Sequence, residues 1–147
     1  MKKQVASTAK SPTKKAASPA NDYVVFVSHA TYDKWIAQVI CEKIESLGVK
    51  TWRDDRDIDG GDKIPEAVRR AIASCSEVAV LLTPKSVDRP WILLEVGMAI
   101  GQEKRIVPLF YHVEPAGTPA VTQDNRGFHL HELDRYLSNL KTRSRGE

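Results

Sequence analysis

At 147 residues, with 41% hydrophobic and 28% charged side chains, the chain has the length and balance of one ordinary globular domain with a buried core. The formal net charge of +3 divides unevenly: residues 1–21 carry five lysines and no acid, leaving 22 − 5 = 17 basic against 19 acidic side chains elsewhere, or −2. A nearly neutral folded part excludes the basic face that nucleic-acid binding requires, and no run nears the ~18 apolar residues of a membrane span.

The opening MKKQVASTAKSPTKKAASPAN is rich in Ala, Ser, Pro and Lys without an apolar run, so residues 1–21 read as a disordered basic tail and 22–147 as the domain. Its lysines lack the hydrophobic stretch that follows them in a signal peptide. A cytoplasmic protein is therefore expected, with Cys41 and Cys75 in helical patterns, reduced and buried. Residues 23–27, YVVFV, predict a buried strand feeding the polar loop SHATYD. In WIAQVICEKIESLG, the residues Trp35, Ile36, Val39, Ile40, Ile44 and Leu47 recur at helical spacing, and Gly48 is the stop. VKTWR is a second strand. Pro65 opens a helix whose apolar stripe is Ala67, Val68, Ala71 and Ile72. VAVLL, residues 78–82, is apolar throughout and is the expected central strand. Pro90 begins the helix PWILLEVGMAIGQE, RIVPLFY is a fourth strand, FHL a candidate fifth, and ELDRYLSNLKTR the closing helix.

Strand and helix alternating through short connections demand right-handed crossovers and a parallel sheet covered on both faces. The expected fold class is α/β, a flavodoxin-like, doubly wound parallel sheet of four to five strands flanked by helices. Ligands of such sheets bind beyond the carboxyl ends of the strands. SHATYD, the loop after strand two, and TPKSVDRPW all fall there.

The loop after strand two raises a competing reading. DDRDIDGGDKIPE matches a calcium-loop pattern at Asp55, Asp57, Asp59, Gly60 and Glu66. An EF-hand needs a helix on both sides of its loop, whereas VKTWR has strand composition. Asp62 also stands where such loops carry an apolar residue, and no second copy occurs. Calcium is rejected on context. His129 and His131 alternate as ligands on a strand would, but no third ligand accompanies them, so no metal site is expected.

Trp91 and Glu95 lie four apart and share a helix face, with Ile92, Leu93, Leu94, Val96 and Met98 around them. A carboxylate in such company is held near a low-dielectric wall. The bland account pairs it with Arg69 or Arg89, or turns it to solvent. The helix begins directly after the strand-three loop, however, which puts both residues near the cleft end of the sheet.

Three segments in register resemble a TIR (Toll/interleukin-1 receptor) domain of the small bacterial, NAD+-cleaving kind. YVVFVSHA is similar to the family's first box, and RDDRDIDGGDKI to its BB loop between strand two and helix two. Ser86, Trp91 and Glu95 are similar to its S…W-x-x-x-E segment. The likeness runs from about Asp22 to the closing helix. It departs after strand four, where HVEPAGTPAVTQDNRG stands in place of the usual fourth helix.

The resemblance implies an NAD+ nucleosidase or cyclase, giving nicotinamide plus ADP-ribose or a cyclic isomer, in bacterial antiviral signalling. NAD+ is then substrate, and no cofactor is expected. Nicotinamide leaves from a ring that is already cationic, so no general acid is needed and charge develops on the ribose. A carboxylate against the ribose hydroxyls stabilises that charge, or alternatively attacks covalently. Glu95 is the expected catalytic residue. The expected substrate-binding residues are Ser28, His29, Phe26, Trp91, Gly61, Lys63 and Ile64. Trp91 would offer an aromatic face, or else pack in the core. Ser28 and His29 follow strand one, Lys63 would meet a phosphate, and Phe26 is expected in the core in either case. Gly60 and Gly61 allow a close backbone approach. Self-association through Asp54 to Ile64 would complete a neighbour's site, and a downstream effector would sense the nucleotide product.

Two rival functions remain at this level. One is a non-catalytic TIR interaction module that oligomerises through the BB loop, which has no use for the Trp91 and Glu95 pairing. The other is a nucleoside deoxyribosyltransferase, whose E-x-G-x-A-like segment is matched by EVGMA but whose first strand does not resemble FVSHA.

Overall fold

The computed structural model describes residues 22–53 and 65–146. The expected basic tail, residues 1–21, lies outside them, as do the loop residues 54–64 that include Gly60, Gly61, Lys63 and Ile64. The elements run β1 (Val24–Ser28), α1 (Lys34–Glu45), β2 (Lys50–Arg53), α2 (Glu66–Ser74), β3 (Glu77–Leu82), α3 (Pro90–Gly101), β4 (Arg105–Phe110), α4 (Ala120–Gln123), β5 (Phe128–His129) and α5 (Leu133–Ser144). The five strands form one parallel sheet in the order β2-β1-β3-β4-β5. The chain steps outward from β1 to β2 and then returns past β1 to β3. That reversal makes the carboxyl ends of β1 and β3 the switch point, where such sheets open a crevice.

Alternation along the strands divides the core into two layers. Val25, Val27, Ala79, Leu81, Val107 and Leu109 face α1 and α5, packing on Ile40, Ile44, Tyr136 and Leu140. Phe26, Val78, Val80, Leu82, Ile106 and Phe110 face α2 and α3, packing on Val68, Ile72, Ile92 and Val96. Each fully buried Val, Leu or Ile contributes about 1.5–3 kcal/mol. Every residue of β3 is buried, as its apolar run predicts for the central strand.

One charge sits inside this core. Glu77, the first residue of β3, is fully buried. Its Oε1 accepts from Tyr23 at 2.6 Å and Arg143 Nε at 3.0 Å. Its Oε2 accepts from Tyr136 at 2.7 Å and the second Arg143 nitrogen at 3.0 Å. Four donors satisfy the carboxylate and lock α5 to β3 and to the residue before β1. Burial, and then the Glu77 charge, push the Tyr23 phenol up to about 12 and raise Tyr136 as well.

Two glycines are required by geometry. Gly48 ends α1 with φ +85°, a left-handed conformation that a Cβ disfavours. A Cβ on Gly127 would collide with the Pro108 carbonyl oxygen and the Phe110 ring, so only glycine lets the chain cross to β5. Lys104, just past α3, donates to the carbonyls of Ala73 and Cys75 at 2.8 and 2.9 Å, capping the carboxyl end of α2. Cys41 and Cys75 are both buried, although Cys75 lies just past α2 instead of within it. Desolvation pushes the Cys75 thiol up.

Several expectations need correction in detail. Trp35 and Val39 lie on the exposed side of α1, and its core face is Ala37, Ile40, Cys41 and Ile44. Ala67 is likewise exposed on α2, leaving Val68, Ala71 and Ile72 inward. The segment after β4 holds only a 3-10 turn at Pro115–Gly117 and the four-residue α4. The calcium-like string is preceded by β2, and Glu66, its last position, pairs with Arg70 in the first turns of α2 at 3.7 Å. Among the described residues no helix is long and apolar enough to cross a membrane.

Candidate active site

Ser28 is the last residue of β1, and alternation sends its side chain with that of Phe26 toward α3. There Ser28 Oγ donates to Glu95 Oε1 at 2.6 Å, with both residues 1% exposed. That is the length of a hydroxyl donating to a carboxylate. Arg89, one partner considered for Glu95, donates instead to the Lys85 carbonyl at 3.0 Å.

The aim of α3 depends on the turn before it. Ser86 is fully buried, and its Oγ donates to the Leu81 carbonyl at 3.0 Å and accepts from Thr83 N–H at 2.8 Å. This clasp folds the chain back on the end of β3. Pro90 then starts the helix at a position where its missing N–H costs nothing. A second cross-link, absent from the sequence reading, joins the same turn to the loop after β1. Thr83 Oγ1 donates to Asp33 Oδ2 at 2.7 Å, and both residues are buried. Asp33 is the last residue of the polar run SHATYD; the pairing with Thr83 spans 50 positions, which no local pattern reveals.

The remaining described substrate-binding candidates are all buried. His29 is 2% exposed, and its Nδ1 lies 2.8 Å from the Ala30 carbonyl, which places the proton on Nδ1. Phe26 has no accessible surface and stacks on Trp52, with ring centroids 5.1 Å apart. It lies in the α2/α3 core layer, the core position expected of it. Trp91 is 3% exposed within the α2/α3 core layer, and its indole N–H has no hydrogen-bond partner among the described residues. Its ring packs within that core layer, on the helix that carries Glu95. Gly61, Lys63 and Ile64 lie outside the described residues. The rings of His129 and His131 stack on each other with centroids 5.6 Å apart. Among the described residues no group of three His, Cys, Asp or Glu side chains is placed to hold a metal.

A parallel, doubly wound sheet with a buried hydroxyl–carboxylate pair at its switch point defines a flavodoxin-like α/β domain. The chain belongs to the TIR domain family, whose model matches residues 25–141. It is 25% identical over 123 residues to a protein of Brachypodium distachyon named "Probable 2' cyclic ADP-D-ribose synthase BdTIR", covering 81% of this chain and 55% of that one. It is 24% identical over 133 residues to the 2' cyclic ADP-D-ribose synthase BtTIR of Bacteroides thetaiotaomicron, covering 84% and 46%. It is 25% identical over 97 residues to the NAD(+) hydrolase TcpA of a Theionarchaea archaeon, covering 63% and 30%. The chain thus spans about half the length, or less, of these curated relatives. Among solved structures, the TIR domain of the Toll-related receptor TRR-2 from Hydra magnipapillata superposes with a TM-score of 0.64 at 22% identity, covering 82% of this chain and 97% of that one. That likeness establishes the fold.

Proposed function

We propose that this TIR domain cleaves the bond between nicotinamide and ribose in NAD+, with Glu95 as the catalytic carboxylate. The observation that carries the proposal is the Glu95 carboxylate fixed by Ser28 at the switch point of the sheet. The names of the relatives, two cyclic ADP-D-ribose synthases and an NAD(+) hydrolase, support the same chemistry. As nicotinamide departs from its cationic linkage, positive charge spreads over the ribose C1′ and ring oxygen. A preorganised anion in a largely desolvated wall stabilises that charge more than it stabilises the ground state. Ser28 holds one carboxylate oxygen and so sets the direction of the other. His29 and the loop Asp54 to Ile64 are proposed to contact the nucleotide, with Lys63 against a phosphate and the loop reaching a neighbouring copy. On this reading activity rises with protein concentration, the protein works in the cytoplasm, and the nucleotide product serves antiviral signalling through an effector.

The test is nicotinamide release from NAD+ by concentrated wild type and by Glu95→Gln, with the nucleotide product identified. Loss of one charge-stabilising group predicts a fall in turnover of about 100-fold or more, measured at a temperature where both proteins are folded. Equal turnover by the two proteins would overturn the catalytic reading and leave an interaction module.

A further inference from the structure

We infer that the chain has a second nucleotide site, a pocket for a mononucleotide on the α1 side of the sheet's carboxyl edge, apart from Ser28 and Glu95. The pocket is an open depression of about 320 Å³ between the turn before α1, the segment after β3 and the first residues after β4. Ser28 and Glu95 do not line it. They face α3, whereas this pocket opens beside the start of α1.

Its walls are aromatic. Tyr32 and Trp35 are 69% and 71% exposed, although isolated burial would favour both rings. Across from them Tyr111 packs against His112 with ring centroids 4.1 Å apart. Tyr111 is anchored by its N–H to the Leu82 carbonyl at 2.9 Å, and His112 holds a left-handed backbone with φ 59°. That conformation costs a non-glycine residue about 1–3 kcal/mol, a kind of strain that clusters at ligand sites. Rings so placed offer faces on which a flat base stacks.

The polar groups match the rest of a nucleotide. Lys85 Nζ sits over the Tyr32 ring, 4.9 Å from its centre, a cation at the rim with the charge for a phosphate. Asp33 is 4% exposed and held by the Thr83 hydroxyl at 2.7 Å. Its carboxylate is an acceptor suited to ribose hydroxyls or an exocyclic amine. The adjoining groove of about 270 Å³ shares Trp35 and Tyr111 but has no acid in its lining, so it lacks this combination. Ligand pockets run from about 300 to 1,000 Å³. A pocket of 320 Å³ suits a mononucleotide better than a dinucleotide.

The test is titration of the full chain with 5′-AMP, followed by backbone amide NMR. Saturable shifts are expected at Tyr32, Trp35, Thr83, Lys85, Tyr111 and His112, with Ser28 and Glu95 unmoved. Trp35→Ala and Lys85→Ala, both at exposed positions, should each weaken binding about tenfold, the loss of one stacking or charge contact. Ribose 5-phosphate should bind at least about tenfold more weakly, because it has no base to stack. Glu95→Gln should bind AMP as wild type does, so this site stands even if the catalytic reading fails. The inference is overturned if AMP gives no saturable shifts, if they appear at Ser28 and Glu95 instead, or if both exposed variants bind like wild type. Equal binding of ribose 5-phosphate overturns it too.

Discussion

Ser28 Oγ lies 2.6 Å from Glu95 Oε1, joining residues 67 positions apart at the carboxyl end of β1 and the middle of α3. The bond links a strand end, whose position is set by the sheet, to a helix residue whose position is set by the turn before it. Replacing the serine removes the donor and leaves a buried acceptor. Ser28→Ala is expected to cost roughly 1–3 kcal/mol of stability, measurable by urea denaturation. On the proposed chemistry it should also lower NAD+ turnover about tenfold, through kcat more than KM, since the carboxylate stays but loses its direction. Unchanged stability and turnover would show that the hydrogen bond contributes neither.

The Glu77 cluster sits at the opposite end of the sheet and makes a different prediction. Arg143→Met keeps the stem but removes two donors from a fully buried carboxylate. Breaking a buried pair costs about 3–5 kcal/mol, but here both tyrosine hydroxyls remain and Arg143 is 23% exposed. A loss of roughly 2–3 kcal/mol is therefore expected. Turnover per folded molecule should be unchanged well below the melting temperature, because the cluster lies at the amino ends of the strands. A drop in turnover without a drop in stability would contradict this separation.

The same cluster sets a response to alkali. Tyr23 has its folded pKa raised from 10.0 to about 12, and Tyr136 is raised too. Between those values the unfolded chain loses phenol protons that the folded chain keeps. The unfolded state then binds fewer protons, so stability falls as pH rises from about 10 to 12 and is fully present below about 10. Thermal melts across that window should show the decline, and Tyr23→Phe should shallow it. A flat profile in wild type would rule out the shift.

Much of the fold was legible in the sequence because its signals are local. The apolar run in β3, the prolines opening α2 and α3, and Gly48 ending α1 each act within a few residues. Facing was harder. α3 is apolar nearly all round, so its pattern does not say that Trp91, Ile92 and Val96 turn inward while Leu93 and Leu94 lie outside. In α1 the sequence stripe included Trp35 and Val39, which border the open grooves. The site was legible as two separate segments, FVSHA and W-x-x-x-E. Its cross-links were not, since Ser28–Glu95 and Asp33–Thr83 span 67 and 50 positions. Such pairs are fixed by strand order and helix crossing, which no window of sequence contains.

Ser86 separates the placing of Glu95 from its chemistry. Its hydroxyl bridges the Leu81 carbonyl and the Thr83 N–H, so it sets the angle at which α3 leaves β3, yet it sits nine residues before the carboxylate. Ser86→Ala leaves the Thr83 N–H without this acceptor inside a buried turn and should cost roughly 1–3 kcal/mol. The misaimed helix should also lengthen the Ser28–Glu95 contact and lower kcat, with Glu95 itself intact. Ser86→Thr retains the hydroxyl and is expected to restore much of the turnover if the extra methyl is accommodated. A purely structural role predicts lost stability in Ser86→Ala with normal kcat at low temperature. A positioning role predicts that kcat stays low even where the variant is fully folded. Comparing the two variants and the wild type at a temperature well below all three melting points distinguishes these outcomes.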